Sequence, residues 1–117
     1  MRHLKKKITL GRKTGPRQAL LRSLCISFIE KENIQTTKTK AKAIKEMIEP
    51  LVTMGREASV HNFRQIEKVL GNKKATQKLI KEISPRFLER PGGYTSIVKV
   101  GARQGDGAEI VILRFVD

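Results

Sequence analysis

Apolar residues recur at helical spacing through the first two thirds of the chain and crowd into short β-rich runs in the last third. Leu20, Leu21, Leu24, Cys25, Phe28 and Ile29 form one stripe and predict a helix over 16–32, with Pro16 near its first position, where a missing N–H costs nothing. The β-branched run 33–37 predicts a short strand, and Thr37 is placed to cap the next helix. That helix, 38–57, buries Ala41, Ile44, Met47, Ile48, Leu51 and Val52, and Pro50 is expected to kink it. Ser59 starts a third helix over 59–70, with Val60, Phe63, Ile66, Val69 and Leu70 inward and Gly71 at its left-handed end. Asn72 caps a fourth, 73–83, carrying Ala75, Leu79, Ile80 and Ile83, which Pro85 stops. After the loop 90–93, strands over 94–100 and 109–116 flank a Gly-rich connection, which suits a hairpin with an extended tip. Both faces of the last strand are apolar, so it is expected to be central and covered by helices. The fold class is therefore α+β: about four helices packed on a small three-stranded mixed sheet, with an extended basic N-terminal arm. Residues 1–15 form the arm, and 16–117 form a single globular domain.

The arm does not fit the apolar pattern because it has almost nothing to bury. Its apolar content is Leu4, Ile8 and Leu10 after Met1, and the first 29 residues hold Arg2, Lys5, Lys6, Lys7, Arg12, Lys13, Arg17 and Arg22 with no acid before Glu30. Such a segment repels itself, and a polyanion orders it by releasing condensed counterions. Charge extends the argument to the whole chain: 25 Lys and Arg against 11 Asp and Glu give a net charge of +14. Three further clusters follow the arm, namely Lys38, Lys40, Lys42 and Lys45, then Lys73, Lys74, Lys78 and Lys81, then Arg86, Arg90, Lys99 and Arg103. The lysines at the start of the second helix oppose its dipole, a cost that an external phosphate would offset. Glu46 and Glu49 stand at helical spacing from Lys42 and Lys45 and are expected to pair with them. One charge run usually means a solvated face, but four with few acids point to nucleic acid.

Catalytic chemistry is not visible. His3 lies in the arm and His61 near a helix start, without Cys or carboxylate at metal-ligand spacing. Asp106 sits in a Gly-rich loop, where it reads as a turn former, and Gly101–Gly107 lacks the Gly-Lys-Ser/Thr of a phosphate-binding loop. The lone Cys25 excludes an internal disulfide framework and reads as a buried thiol. No apolar run reaches the ~18 residues of a membrane span, and the stretch 19–29 lacks a signal-peptide cleavage pattern. The chain is accordingly expected to be no enzyme and to use no cofactor, metal, small-molecule substrate or membrane. With one Tyr and no Trp there is no aromatic platform for single strands, and no helix-turn-helix or zinc finger can be placed. An arm threading into folded RNA fits best, with a free DNA-compacting or regulatory protein as the alternative.

A set of motifs spans the chain in order. They are Met1-Arg2-His3; Leu10, Arg12 and Arg17-Gln18-Ala19; Ile34 with Thr36-Thr37; Lys40-Ala41-Lys42; Glu49-Pro50-Leu51; Pro85-Arg86-Phe87 with Arg90; and Gly92-Gly93-Tyr94-Thr95, Ile97, Lys99, Gly101, Arg103 and Gly105-Asp106. Together they resemble the bacterial-type large-subunit ribosomal protein L-seventeen family. The chain departs from that pattern at Thr14-Gly15-Pro16, at Ser96, where the family carries a basic residue, and at Phe115. The resemblance implies a structural constituent of the large ribosomal subunit, in the cytoplasm or in an organellar ribosome. It implies large-subunit ribosomal RNA and neighbouring ribosomal proteins as partners. The expected RNA-facing residues are Arg2, His3, Lys5, Lys6, Lys7, Arg12, Lys13, Arg17, Arg22, Lys38, Lys40, Lys42, Arg86, Arg90, Lys99 and Arg103. The resemblance adds Gly92, Gly93, Tyr94 and Thr95, with the glycines allowing close backbone approach and Tyr94 packing or stacking.

Overall fold

A computed structural model describes residues 14–116. Helix α1 (Thr14–Lys31) leads into strand β1 (Asn33–Thr37), and α2 (Lys38–Gly55) follows directly. Next come α3 (Val60–Leu70) and α4 (Lys73–Lys78). The chain then continues through a π-turn (Leu79–Ile83) and a 3₁₀ turn (Ser84–Phe87) to strands β2 (Thr95–Ala102) and β3 (Glu109–Phe115). Capping residues set these boundaries. Thr37 Oγ1 accepts from the Lys40 N–H, Ser59 Oγ from Asn62, and Asn72 Oδ1 from Ala75. Each satisfies an otherwise orphaned helical donor, typically worth about 1 kcal/mol. Gly71 ends α3 with φ 67°, and its N–H reaches the Glu67 carbonyl.

The prolines act differently from expectation. α2 is helical across Pro50, although Pro50 has no N–H for the Glu46 carbonyl. Pro85 does not stop the fourth helix at Ile83. The backbone first widens, with the Ser84 N–H bonding the Leu79 carbonyl, and Pro85 then enters near the start of the 3₁₀ turn. In a regular α-helix its ring would strike the carbonyl of residue 81, and the widened turn avoids that clash.

The strand order is β1-β3-β2, with both pairings antiparallel, so the sheet is not mixed. β3 is central, as its apolar pattern predicts. It is not covered on both faces: Val111, Leu113 and Phe115 are buried, whereas Ile110 and Ile112 are half-buried. Val98, paired with Ile112 on that second face, is 40% exposed. The helices lie on the other face, with Cys25, Phe28 and Ile29 of α1 and Ala41, Ile44, Ile48 and Val52 of α2 in one cluster with the strand residues. Within α3, Ile66 and Leu70 are buried, but Val60 is 67% and Val69 38% exposed. The short helix has only one packed side, and Val60 instead lines an open groove with Phe63 and Ile80.

A chain of rings crosses the core. Phe28 stacks on Phe115 at 4.5 Å, Phe115 meets Phe87 at 6.1 Å, and Phe87 meets Tyr94 at 5.2 Å. Such pairs contribute about 0.5–1.5 kcal/mol each beyond their burial. Tyr94 is fully buried, and its hydroxyl shares a 2.7 Å hydrogen bond with Thr53 Oγ1.

Gly55 marks the closest approach between α2 and the turn at Ser84. A Cβ at Gly55 would sit 2.5 Å from Ser84 Oγ, which donates to the Val52 carbonyl at 3.1 Å. Gly55→Ala should therefore destabilise the protein by about 1–2 kcal/mol, the overpacking cost exceeding the gain in helix propensity. In a Ser84→Ala background the nearest remaining atoms are at ordinary contact distances, 3.4 and 3.5 Å. There Gly55→Ala should become neutral or stabilising in urea unfolding, and a cost that persists would place the clash elsewhere.

Candidate nucleic-acid interface

The first half of α2 is the clearest cationic surface. Thr37 holds its start, and the helical repeat then brings Lys38, Lys42 and Lys45 to one side, with Lys40 on the opposite side of the first turn. Lys38 approaches Glu109 at 3.8 Å. Lys40, Lys42 and Lys45 form no ion pair among the described residues. The expected pairs of Lys42 with Glu46 and of Lys45 with Glu49 do not form. Glu49 is drawn away, since its Oε2 accepts from the Thr95 N–H at 3.2 Å and from Thr95 Oγ1 at 2.9 Å. Three uncompensated ammonium groups thus stand at the positive end of a helix dipole, an arrangement that attracts phosphate.

Several of the other predicted cations, Lys38, Arg86, Lys99 and Arg103, are held by acids. Glu32 ends α1 in the left-handed conformation, φ 64°, with its N–H on the Phe28 carbonyl. This is an uncommon position for a residue with a side chain. From there its carboxylate holds Arg86 at 2.5 Å and Lys78 at 3.3 Å, joining two basic residues from different turns. Lys78 Nζ also donates to the Glu30 carbonyl at 2.7 Å. The hydrogen bond from Arg86 is the main cause that lowers the Glu32 pKa, and the Lys78 contacts add to it. Glu109 acts similarly, taking Lys99 at 3.3 Å on one oxygen and Lys38 on the other. At the hairpin tip Arg103 grips Asp106, which also accepts from the Ala108 N–H. The Arg103 hydrogen bond, with help from Ala108, holds the Asp106 carboxyl down at about 2. Asp106 is thus the turn former that its Gly-rich loop predicts.

Arg17 stands half-buried in the first turns of α1, and Arg22 Nε donates to the Val69 carbonyl, tying α1 to α3. Arg90 Nη1 reaches the Gly93 carbonyl, while the Arg90 carbonyl accepts from Arg56 at 2.7 Å. Arg56 also reaches the carbonyls of Phe87 and Leu88, so it closes the turn that presents Arg86 and Arg90. Nothing in its sequence context marks that role. Gly93 has φ 65°, which favours glycine, and a Cβ at Gly92 would meet only open space.

Tyr94 and Thr95 correct the expected RNA-facing set. Tyr94 has no accessible surface and Thr95 is 4% exposed. They shape the loop from beneath: Tyr94 through Phe87 and Thr53, and Thr95 through Glu49. Arg2, His3, Lys5, Lys6, Lys7, Arg12 and Lys13 lie outside the described residues.

Burial pushes the Cys25 thiol up to about 12, which makes it a poor nucleophile. Among the described residues no group of three His, Cys, Asp or Glu is placed to hold a metal, and no helix is long and apolar enough to cross a membrane.

The chain is similar to known proteins over nearly its whole length. The family described as "Ribosomal protein L17" matches residues 20–116. Among curated relatives, the "Large ribosomal subunit protein bL17" of Exiguobacterium sp. is 46% identical over 112 residues, covering 92% of this chain and 96% of its own. The protein of that name from Thermomicrobium roseum is 45% identical over 116 residues, with 99% of each chain covered. Its counterpart in Clostridium botulinum strain Hall is 44% identical over 107 residues, with 92% of this chain and 95% of its own covered. With relatives 44–46% identical aligned over 92–99% of the chain, and a family match over residues 20–116, this chain belongs to the ribosomal protein L17 family.

Proposed function

We propose that this chain is a structural constituent of the large ribosomal subunit, in the cytoplasm, that binds large-subunit ribosomal RNA and catalyses no reaction of its own. Its other partners are neighbouring large-subunit proteins. The observation that carries the reading is the lysine-laden start of α2. Lys40, Lys42 and Lys45 oppose the helix dipole without a carboxylate partner among the described residues, and membership of a ribosomal family supports ribosomal RNA as the polyanion that completes them. The arm, with Arg2, His3, Lys5, Lys6, Lys7, Arg12 and Lys13, supplies further phosphate contacts. Arg17, Arg22, Lys38, Arg86, Arg90, Lys99 and Arg103 form a second tier already oriented by the protein. Gly92 and Gly93 let the RNA backbone approach the loop closely.

Two measurements test this. With about six to eight phosphates engaged, the slope of log K against log salt should be roughly −4 to −7 on a cognate RNA fragment. A slope near −1 would show that the arm and α2 do not act together on the backbone. The second uses the Glu32 clamp. Glu32→Gln removes a negative charge, which by long-range electrostatics alone strengthens RNA binding. Because Glu32 orients Arg86 and Lys78, affinity should instead fall about two- to fivefold, a loss of roughly 0.5–1 kcal/mol. A rise in affinity would mean that those cations need no positioning.

A further inference from the structure

A groove of about 610 Å³ runs between α2 and the loop 91–93. Pro50 and the stems of Lys42 and Lys45 line it from the helix, and Pro91 and Gly92 from the loop. Its remaining polar lining is dominated by acceptors. Glu49 Oε2 is fixed by Thr95, while Oε1 has no hydrogen-bond partner among the described residues. No buried side-chain polar atom lacks a partner, so Oε1 reaches accessible surface. Glu46, one turn earlier, is exposed and also faces the groove. Neither carboxylate pairs with the adjacent lysines, although the spacing allows it. The groove therefore keeps one fixed carboxylate, Glu49, and one unpaired carboxylate, Glu46, beside free ammonium groups and two proline rings.

A nucleotide meets all three demands. Its base offers a flat apolar face to the prolines, its edge offers N–H donors to the carboxylates, and its phosphate meets Lys42 and Lys45. A carboxylate only accepts, so the base must donate. Adenine and cytosine each present a single amino group, and uracil one imino N–H. Guanine alone presents adjacent donors, N1–H and the N2 amine, along one edge. A cationic side chain of a protein neighbour would satisfy the carboxylates but would be repelled by the two lysines. We propose that this groove receives one guanine base turned out of an RNA strand, read by Glu49 and Glu46 and held by Lys42 and Lys45 at its phosphate. This rests on the RNA-binding reading above and adds to it a base-specific contact.

Fluorescence anisotropy of the full chain with labelled single-stranded heptanucleotides tests it. The strands carry guanine, hypoxanthine, adenine or uracil at the centre of an otherwise all-uridine sequence. Hypoxanthine differs from guanine only in lacking the N2 amine. The guanine strand should bind at least about fivefold more tightly than the hypoxanthine strand, and more tightly still than the other two. Glu46→Gln and Glu49→Gln should each erase most of that preference while leaving the salt dependence shared by all four strands. Glu46 is exposed and makes no recorded contact, so its variant carries the test even if Glu49→Gln lowers stability. Equal affinities with a steep salt slope would overturn the guanine site and leave the RNA-binding reading standing. A preference that survives both variants would place the base elsewhere and also overturn it. No binding of any strand at low salt would overturn the RNA-binding reading itself, and the guanine site with it.

Discussion

The ring chain from Phe28 through Phe115 and Phe87 to Tyr94 holds together parts of the molecule that the backbone leaves far apart. Phe28 belongs to α1, Phe115 to the central strand, Phe87 to the 3₁₀ turn, and Tyr94 to the start of the hairpin. In a core otherwise built from aliphatic side chains, these rings bring the largest apolar areas and constrain relative orientation. Once Tyr94 is fixed against Phe87 and Thr53, Thr95 comes within reach of Glu49, and the loop 91–93 is set beside α2. The groove and the α2 lysine surface are consequences of that placement.

Electrostatics supplies the second constraint. With 25 cations and 11 acids, neutralisation within the chain is impossible. The acids are placed instead where each one fixes more than its own charge. Glu32 joins Arg86 to Lys78, Glu109 joins Lys38 to Lys99, and Asp106 holds both Arg103 and its own loop. Such partly exposed pairs add little to stability. Their effect is on geometry, because long flexible side chains are held in place before any partner arrives, which lowers the entropic cost of binding. Beyond Lys38, the first half of α2 has no such acid: Lys40, Lys42 and Lys45 form no ion pair among the described residues.

Much of this fold was legible in the chain. Thr37, Ser59, Gly71 and Asn72 act at the helix ends that their chemistry predicts, because a cap is satisfied within three or four residues and needs no knowledge of distant parts. Buried positions on α2 and α4 followed from periodicity for the same reason. The errors arose where a distant element decides. Periodicity placed Val60 and Val69 inward, yet they stand on opposite sides of α3 at the margins of its packed face, Val60 in the groove with Phe63 and Ile80 and Val69 beside Arg22 and Met47. Alternation suggested that β3 is covered twice, yet the helices occupy one face. Helical spacing paired Glu49 with Lys45, and Thr95, 46 residues away, took the carboxylate instead.

The sequence by itself determined the sign and size of the charge and the list of local elements. Net charge is a sum over residues, and caps and helical stripes are short-range patterns, so neither needs a fold. Only the tertiary structure decided which cations are clamped and which are free, and that Tyr94 and Thr95 serve the core and not the surface. It also decided that Gly55 must be small because Ser84 lies against it, and that Arg56 closes the loop bearing Arg90. Apart from the hairpin pairs Lys99–Glu109 and Arg103–Asp106, these depend on contacts between residues about 30 or more positions apart, formed when apolar burial brings the helices onto one face of the sheet. No local pattern encodes such a distance.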